Sequence, residues 1–363
     1  MRLLITASSF AHVSSFHLPY IEGFHKLGWE IDIACGGAIR EIPLADRLIS
    51  LPMEKRMLSA SNLKAAAKLR REIKSRSYDL IIMHTSLAAF FTRLAVCGIK
   101  GRPHSINLVH GYLFDDGTRT LKAGLLKAAE LFMAPATDLV LTMNDYDYSW
   151  AKKHRVAHRV SFIPGLGADE RRIAGSIVKD YGFGENAFVL VFPAEFSARK
   201  NQTLLISAMA RLPDSVRLVL PGDGELLEEC KRQAQSLGVS GRVCFPGYVD
   251  DIIPWLKGAD AAISSSRTEG LPFNIIEAMQ CGLPVIASRV KGNSDLVEDG
   301  ITGLLYDYGS VEGCAAAVKT LLHHPSLCAS MGLNGQKKAG DYGLETVYPQ
   351  VMKEYLNWSK YDW

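Results

Sequence analysis

Short apolar runs rich in Val, Ile and Leu recur along the chain and alternate with longer stretches of helical periodicity. In the first half the runs fall at 2–6, 30–35, 79–83, 105–109, 138–142 and 160–163. In the second half they fall at 188–192, 216–220, 242–245, 261–264 and 284–287. Apolar runs separated by helices are typical of parallel strands covered on both faces. The pattern therefore predicts an α/β protein with two similar sheets.

The stretch between the two sets of runs lacks strand character. It begins with Pro-Gly-Leu-Gly at 164–167, and Tyr-Gly-Phe-Gly at 181–184 adds a second break. The chain of 363 residues is about right for two domains of ordinary size. We predict an N-terminal domain over 1–165, a C-terminal domain over 166–345, and a C-terminal helix over 346–363 that packs back on the first domain.

Composition excludes several classes of protein. With 48% hydrophobic and 22% charged residues, the chain resembles a soluble globular enzyme and not a fibrous or disordered protein. Apolar runs stay shorter than the roughly 18 residues that a bilayer span needs, so we expect a cytoplasmic protein. The seven cysteines are scattered without a C-x-x-C pair, which predicts buried reduced thiols instead of disulfides or a zinc site.

Charge is unevenly distributed along the chain. Residues 1–165 carry 22 Lys and Arg against 14 Asp and Glu, although the whole chain has a net charge of only +3. Much of the excess lies in the segment 55–76, whose basic residues are Lys55, Arg56, Lys64, Lys68, Arg70, Arg71, Lys74 and Arg76. Such a run is typical of a solvated helix face, and it is also compatible with binding to anionic lipid or a phosphorylated acceptor.

Three polar or Gly-rich loops follow predicted strands of the second half, at 194–201, 221–224 and 264–270. Ligands of open α/β sheets bind at the carboxyl ends of the strands, so these loops should converge on one edge. The third loop leads into a helix with Pro272 just inside its start. Glu269 precedes this helix and could accept hydrogen bonds from sugar hydroxyls, whereas Glu277 lies two turns in and could hold a ribose diol. If only one of these glutamates were present, it would be interpreted as a surface residue beside a capped helix.

The stretches 247–251, 259–288 and 300–303 closely resemble the C-terminal domain of glycosyltransferase family 4, including its Glu-x7-Glu pattern at Glu269 and Glu277. The resemblance implies a GT-B fold, with two Rossmann-like domains facing a central cleft. It also implies a retaining, metal-independent transfer without a cofactor, from a nucleotide diphosphate-sugar (most commonly a UDP-sugar) bound mainly by the second domain. In the first domain, 16–20, 109–114 and 141–146 resemble exopolysaccharide and capsule-type members.

Carried onto this sequence, the resemblance predicts three catalytic residues: Glu269 at the sugar, Lys200 at the diphosphate and His110 beside the anomeric carbon. The family's Gly-Arg-Leu triplet is replaced here by Ala-Glu-Phe at 194–196, so the arginine is missing at Glu195, and Arg199 is a candidate substitute. Glu277 would hold the ribose and Val249 would lie near the base. The remaining predicted donor contacts are Gly222, Gly270, Leu271, Pro272, Phe273 and Asn274.

Serines and histidines occupy the loop after the first strand, where many family members have paired glycines. His12, Ser14 and His17 could face the acceptor, and a helix cap by Ser14 or Ser15 explains the serines equally well. Asp-Tyr-Asp at 145–147 matches the D-x-D motif that binds a divalent cation in another glycosyltransferase fold. It is better explained as the acidic start of a helix, so no metal site is predicted.

Taken together, these features predict a hexosyltransferase of surface polysaccharide synthesis. Its acceptor would be a hydroxyl of a glycan or of a polyprenyl diphosphate-linked sugar at the inner face of the plasma membrane, to which segment 55–76 would bind. No nucleic-acid partner is expected. Two other classes stay open: a GT-B enzyme that acts without transfer, such as a nucleotide-sugar epimerase, and a non-catalytic subunit that binds nucleotide-sugars.

Overall fold

The computed structural model describes residues 1–54, 56–57, 59–115 and 120–357. Two compact units are present: unit 1 comprises residues 1–166 together with the chain from Val347 onward, and unit 2 comprises residues 167–346. Lys55 of the basic segment and residues 358–363 of the predicted C-terminal helix lie outside the described residues. No helix among the described residues is long and apolar enough to cross a membrane.

Unit 1 is built on a seven-stranded parallel sheet of order β3-β2-β1-β4-β5-β6-β7. Six of these strands match the predicted apolar runs to within two residues. The edge strand β3 was not predicted, because its residues are mostly half-buried and include Arg47 and Ser50. The strands are β1 Arg2–Ala7, β2 Glu30–Gly36, β3 Arg47–Leu51, β4 Leu80–His84, β5 His104–Leu108, β6 Leu139–Thr142 and β7 Arg159–Phe162.

The helices of unit 1 begin at identifiable caps. The Ser9 hydroxyl accepts a hydrogen bond from the backbone N–H of His12 and starts the first helix, so the predicted cap at Ser14 or Ser15 is wrong. Asn144 caps the helix that begins at Asp145, which confirms the D-x-D segment as a helix start. The helices are α1 Phe10–Phe16, α2 Leu18–Lys26, α3 Ala60–Arg76, α4 Ser86–Val96, α5 Leu121–Met133 and α6 Asp145–His154.

Several basic side chains of the segment 55–76 form hydrogen bonds or ion pairs within unit 1. Arg70 donates to the backbone carbonyls of Ala95 and Cys97, and Lys68 donates to that of Ser50. Arg76 forms ion pairs with Glu30 and Asp32. Lys64, Arg71 and Lys74 are exposed on α3. The cationic surface is therefore smaller than the sequence count indicates.

Unit 2 is built on a six-stranded parallel sheet of order β10-β9-β8-β11-β12-β13. The edge strand β13, only four residues long, was not predicted. Because β9, β8 and β11 are neighbours, the three candidate loops that follow them leave one edge of the sheet side by side. The strands are β8 Phe188–Val191, β9 Val216–Pro221, β10 Val243–Gly247, β11 Ala261–Ser264, β12 Val285–Ser288 and β13 Gly303–Tyr306.

Helices cover the sheet of unit 2, and the last one continues into unit 1. That helix, α15, runs Leu344–Leu356, and its Tyr355 packs against Tyr20 of unit 1 with 5.7 Å between ring centroids. The other helices are α7 Arg171–Ala174, α8 Gln202–Met209, α9 Leu227–Ser236, α10 Ile253–Lys257, α11 Phe273–Gln280, α12 Asn293–Leu296, α13 Val311–His323 and α14 Pro325–Ala339.

All seven cysteines are free, as predicted. Three are buried, whereas Cys97 is exposed and the rest are half-buried, so the expectation of uniformly buried thiols is wrong.

Candidate functional site

The loops after β8 and β9 touch backbone to backbone, and glycines make this contact possible. Gly222 and Gly224 have φ angles of +148° and +152°. A Cβ on Gly222 would lie 2.0 Å from the carbonyl oxygen of Ala194, and one on Gly224 would lie 2.4 Å from that of Phe196. Only glycine fits such close approaches. The Gly222 N–H, a predicted donor contact, donates to the carbonyl of Gly247 at 2.8 Å.

Lys200 and Arg199, from the loop after β8, both bind the carboxylate of Glu269, from the loop after β11. The Lys200 ammonium lies 2.6 Å from Glu269 Oε1, and the Arg199 guanidinium lies 2.8 Å from Glu269 Oε2. Burial alone would raise the pKa of Glu269, but Lys200 and Arg199 lower it below its ordinary value. Burial lowers the pKa of Lys200, and Glu269 opposes that change. The cluster thus holds two cations around one buried carboxylate.

Glu269 is fixed by the loop after β12 as well. Its backbone N–H donates to the carbonyl of Lys291 at 3.3 Å. Gly292 has a φ of +81°, and a Cβ there would lie 2.8 Å from the Cβ of Glu269. Ser266 adds a side-chain hydrogen bond to the carboxylate. Sequence reasoning missed Gly292, for which the only signal was a glycine shortly after a predicted strand.

The segment between Glu269 and Glu277 is tightly packed. Helix α11 begins at Phe273 with Pro272 at its N-cap, so the proline lies one position outside the helix instead of just inside it. Gly270, Leu271 and Pro272 are buried, and Phe273 is half-buried. The side-chain amide of Asn274 donates to the carbonyl of Pro193 at 3.0 Å, which joins α11 to the end of β8.

Glu277 is paired with Arg172, a residue that no motif in the sequence marks. Arg172, from the presumed linker, donates to Glu277 Oε1 at 2.8 Å and to Asp251 Oδ1 at 2.6 Å. Burial raises the pKa of Glu277 to about 6, although Arg172 opposes the rise. Val249, the predicted base contact, is half-buried two residues before Asp251. The predicted ribose residue Glu277 therefore belongs to an ion-paired group with Arg172 and Asp251.

Unit 1 gathers four histidines at the carboxyl ends of its central strands; His12, His17, His84 and His110 are called here the histidine cluster. His12 lies on α1 after β1, and His17 is the C-cap of that helix. His84 ends β4, and His110 follows β5. His12 Nε2 lies 3.3 Å from the Nε2 atoms of both His110 and His17, and His110 Nε2 lies 3.4 Å from His84 Nδ1.

The loop geometry beside His84 is unusual. Thr85 has a φ of +64°, which is rare for a β-branched residue, and its hydroxyl accepts a hydrogen bond from the N–H of Ser8 at 3.1 Å. This bond joins the loops after β1 and β4. Sequence reasoning missed His84 because its pattern is that of a buried strand end. Ser14, in contrast, donates its hydroxyl to the carbonyl of Ala11 within α1.

Each histidine of the cluster is held in the neutral form. Burial lowers the pKa of His12 to about 4. Burial, with additional repulsion from neighbouring histidines, lowers the pKa values of His17, His84 and His110 well below the ordinary value. The cluster therefore presents imidazole lone pairs and N–H groups, not positive charge, at neutral pH.

Comparison with known proteins identifies the family to which the chain belongs. Residues 175–338 match the model for glycosyl transferases group 1, and residues 20–166 match the model for glycosyltransferase family 4. EpsD of Bacillus subtilis is 32% identical over 352 residues, which cover 93% of this chain and 92% of EpsD. The chain belongs to glycosyltransferase family 4. As predicted, this family 4 glycosyltransferase is a transferase enzyme with relatives in polysaccharide biosynthesis.

Two further proteins are similar to the glycosyltransferase. The UDP-Gal:alpha-D-GlcNAc-diphosphoundecaprenol alpha-1,3-galactosyltransferase of Escherichia coli is 28% identical over 69% of this chain and 68% of its own. The crystal structure of Anabaena HepE in complex with UDP and glucose superposes with a TM-score of 0.78 at 21% identity, and covers 98% of this chain and 99% of HepE. The likeness confirms the predicted GT-B fold with two Rossmann-like domains.

Proposed function

We propose that this glycosyltransferase moves a hexose, with retention of anomeric configuration, from a UDP-sugar to a hydroxyl of a polyprenyl diphosphate-linked glycan. The E. coli relative is named for a UDP-galactose donor and a diphosphoundecaprenol-linked acceptor, and HepE was crystallised with UDP. The observation that carries the proposal is the placement of two cations, Arg199 and Lys200, on the buried carboxylate of Glu269.

This arrangement suits a diphosphate leaving group. Two cations and one carboxylate leave one positive charge uncompensated, at an edge where a parallel sheet commonly binds phosphate. In the donor complex the diphosphate would take over Lys200 and Arg199. Glu269 would then accept hydrogen bonds from the sugar hydroxyls, beside the backbone of 270–274. The cations would stabilise the charge that develops as UDP departs, without a metal at this place.

Glu277 would accept hydrogen bonds from the ribose diol, and Val249 would lie near the base. In the free enzyme the Glu277 carboxylate is ion-paired with Arg172. Nucleotide binding would therefore replace this ion pair by hydrogen bonds from the ribose hydroxyls to Glu277. Because Arg172 also contacts Asp251, it has a second carboxylate to hold it after this exchange. Gly222 would contribute to donor binding indirectly, because it lets the loops after β8 and β9 approach each other closely.

Unit 1 would supply the acceptor. His110 would contact the reacting sugar, and His12 and His17 would face the acceptor, with Ser14 nearby on α1. Retention would follow from a same-face substitution assisted by the departing phosphate oxygen. We also propose that the enzyme is cytoplasmic and binds the anionic inner face of the plasma membrane through the exposed cations of α3, Lys64, Arg71 and Lys74.

The test begins with ligand binding by the purified chain. A nucleotide that binds only the folded protein raises its melting temperature, so a screen of UDP- and GDP-sugars identifies the donor. We expect the largest shift with a UDP-sugar. The selected donor is then incubated with a sugar carried on polyprenyl diphosphate, or on a simple alkyl chain as the matched control, and the new linkage is assigned by NMR.

Formation of an α-linked product from an α-linked donor, only with the diphosphate-linked acceptor, is the expected result. Epimerised donor in the absence of acceptor would point to the epimerase alternative. Donor binding with neither transfer nor donor hydrolysis would point to a non-catalytic subunit. An inverted linkage would overturn the proposed stereochemistry while leaving the transfer itself intact.

A further inference from the structure

Helix α5 of unit 1 presents a row of large apolar side chains to solvent. Leu121, Leu125 and Phe132 are 84%, 62% and 73% exposed. Together with the exposed Ala128 they occupy positions i, i+4, i+7 and i+11 of the helix, which lie on one face; these four residues are called here the apolar stripe. Exposed apolar residues are common singly, but a continuous row along one helix face indicates a surface that another molecule covers.

The opposite face of α5 already packs on unit 1 without the stripe. Ala123 and Met133 are buried there. Glu130 is buried as well, and Arg93 donates to its two carboxylate oxygens at 2.8 and 2.9 Å. Glu130 is the one acidic residue of this fully described helix. Its charge is therefore directed inward and paired, and the outer face of α5 carries no carboxylate.

The charges beside the stripe are positive. The exposed Lys122 and the half-buried Lys127 lie on opposite sides of it around the helix. A helix with leucine and phenylalanine on one face and flanking lysines is typical of helices that lie in the interface of an anionic membrane. A second copy of the chain fits less well, because a two-fold contact through the stripe would bring like charges together with no carboxylate between them.

The stripe belongs to the same helix layer as the cationic face of α3. Strands β4, β5 and β6 follow one another across the sheet, so right-handed connections place α4 and α5 on the same side of it. Helix α3 leads from β3 to β4 in the same direction, and α4 contacts both α3 and α5. One membrane surface would therefore meet the stripe together with Lys64, Arg71 and Lys74.

We propose that the apolar stripe of α5 inserts into the interfacial region of an anionic membrane. This inference rests on the membrane binding in the proposed function and deepens it, since the cations of α3 would attract the enzyme and the stripe would hold it. Stable attachment commonly needs two such signals. Because α5 returns the chain from β5 to β6, it begins at the carboxyl edge of the sheet, where His110 lies. Insertion would thus bring the acceptor side of unit 1 to the level of the lipid headgroups.

A fluorescent label tests insertion directly. In a Cys97→Ser chain, which lacks the one exposed cysteine, Leu125→Cys is labelled with NBD and mixed with vesicles of phosphatidylglycerol and phosphatidylcholine at low salt. We expect the emission to rise, to shift to shorter wavelength, and to be quenched by lipids that carry a nitroxide on the acyl chain. Leu333→Cys, on α14 of unit 2 and 69% exposed, is the matched control and should show none of these changes.

Sedimentation measures the contribution of the stripe to affinity. Leu125→Ser combined with Phe132→Ser should bind the same vesicles at least about tenfold more weakly, because two large apolar side chains no longer leave water. Leu333→Ser should bind like wild type. Both variants change exposed side chains, so both should melt close to wild type. Neither donor nor acceptor is present, so these results are independent of the transfer assay.

The outcomes separate insertion from binding by charge alone. If wild type sediments with the vesicles but the label at residue 125 is not quenched, or if the double variant binds equally well, the stripe does not insert and only this inference is overturned. If wild type does not sediment at all, the membrane binding in the proposed function is overturned with it. A dimer of the wild type that the double variant dissociates would assign the stripe to self-association and would also overturn the inference.

Discussion

Replacing Lys200 by Met isolates the charge of the Lys200 ammonium from the packing of its stem. In the free enzyme the change leaves the Glu269 carboxylate, 7% exposed, with Arg199 as its remaining charged partner. Breaking a buried ion pair outright costs about 3–5 kcal/mol. Because Arg199 stays 2.8 Å from the carboxylate, we expect a loss nearer about 2 kcal/mol, the value of one charged hydrogen bond.

The effect of Lys200→Met on turnover should be larger than its effect on stability suggests. If the ammonium meets charge developing on the diphosphate, removing it should lower kcat by about 10²–10³-fold, as loss of one preorganised donor does elsewhere. Arg199 is 39% exposed, against 12% for Lys200. Water screens its charge more strongly, so Arg199→Met should lower kcat less, by roughly tenfold.

The assay measures kcat at saturating UDP-sugar for both variants, and the free energy of unfolding in urea. Lys231→Met is the control, since Lys231 belongs to the same unit, has a side chain that is 42% exposed, and pairs with Glu228 on α9. The control should keep wild-type turnover. A kcat for Lys200→Met within twofold of wild type would remove the lysine from the transfer step, whatever happened to stability.

Two further predictions concern the basic face of α3 and the titration of Glu277. Replacing Lys64, Arg71 and Lys74 together by Ser should abolish sedimentation with anionic vesicles at low salt, which wild type should show and high salt should reverse; equal binding would exclude this face. Burial raises the pKa of Glu277 from 4.5 to about 6. The folded state therefore binds a proton at Glu277 more tightly than the unfolded state does, and the resulting stabilisation of the fold is complete below pH 4.5 and is lost as the pH rises through about 6. Relative to wild type, Glu277→Gln should gain about 2 kcal/mol of unfolding free energy between pH 4 and pH 7, and a pH-independent difference would refute the shift.

The sequence predicted the interior of both sheets and missed an edge strand of each. Central parallel strands are buried on both faces, so they appear as continuous apolar runs. Strand β3 has two buried residues among five, and β13 begins with a glycine. Edge strands of this kind carry a mixed pattern that resembles a loop. The edge strands β7 and β10 were still predicted, because their sequences keep short apolar runs although few of their residues are buried.

Motif reasoning selected Glu269, Lys200 and Arg199, which the structure brings into contact, and it missed Arg172 and His84, which no motif marks. Arg172 reaches Glu277 across 105 residues, and His12 reaches His110 across 98. Local patterns such as motif spacing do not mark the histidine cluster. A cluster assembled from separate strand ends has no such local pattern, and only the order of strands in the sheet reveals it.

The departure at Glu195 has a smaller electrostatic effect than the change of charge suggests. Replacing the family's arginine by glutamate alters the local charge by two, and Arg199 restores only one of these. Glu195, however, is exposed, so water and salt screen its carboxylate. The side chains of Lys200 and Glu269 are only 12% and 7% exposed, so their charges act in a medium of lower dielectric constant. The field that a diphosphate would meet is thus dominated by Lys200 and the nearby Arg199, which is why the loss of the family's arginine is compatible with the proposed donor site.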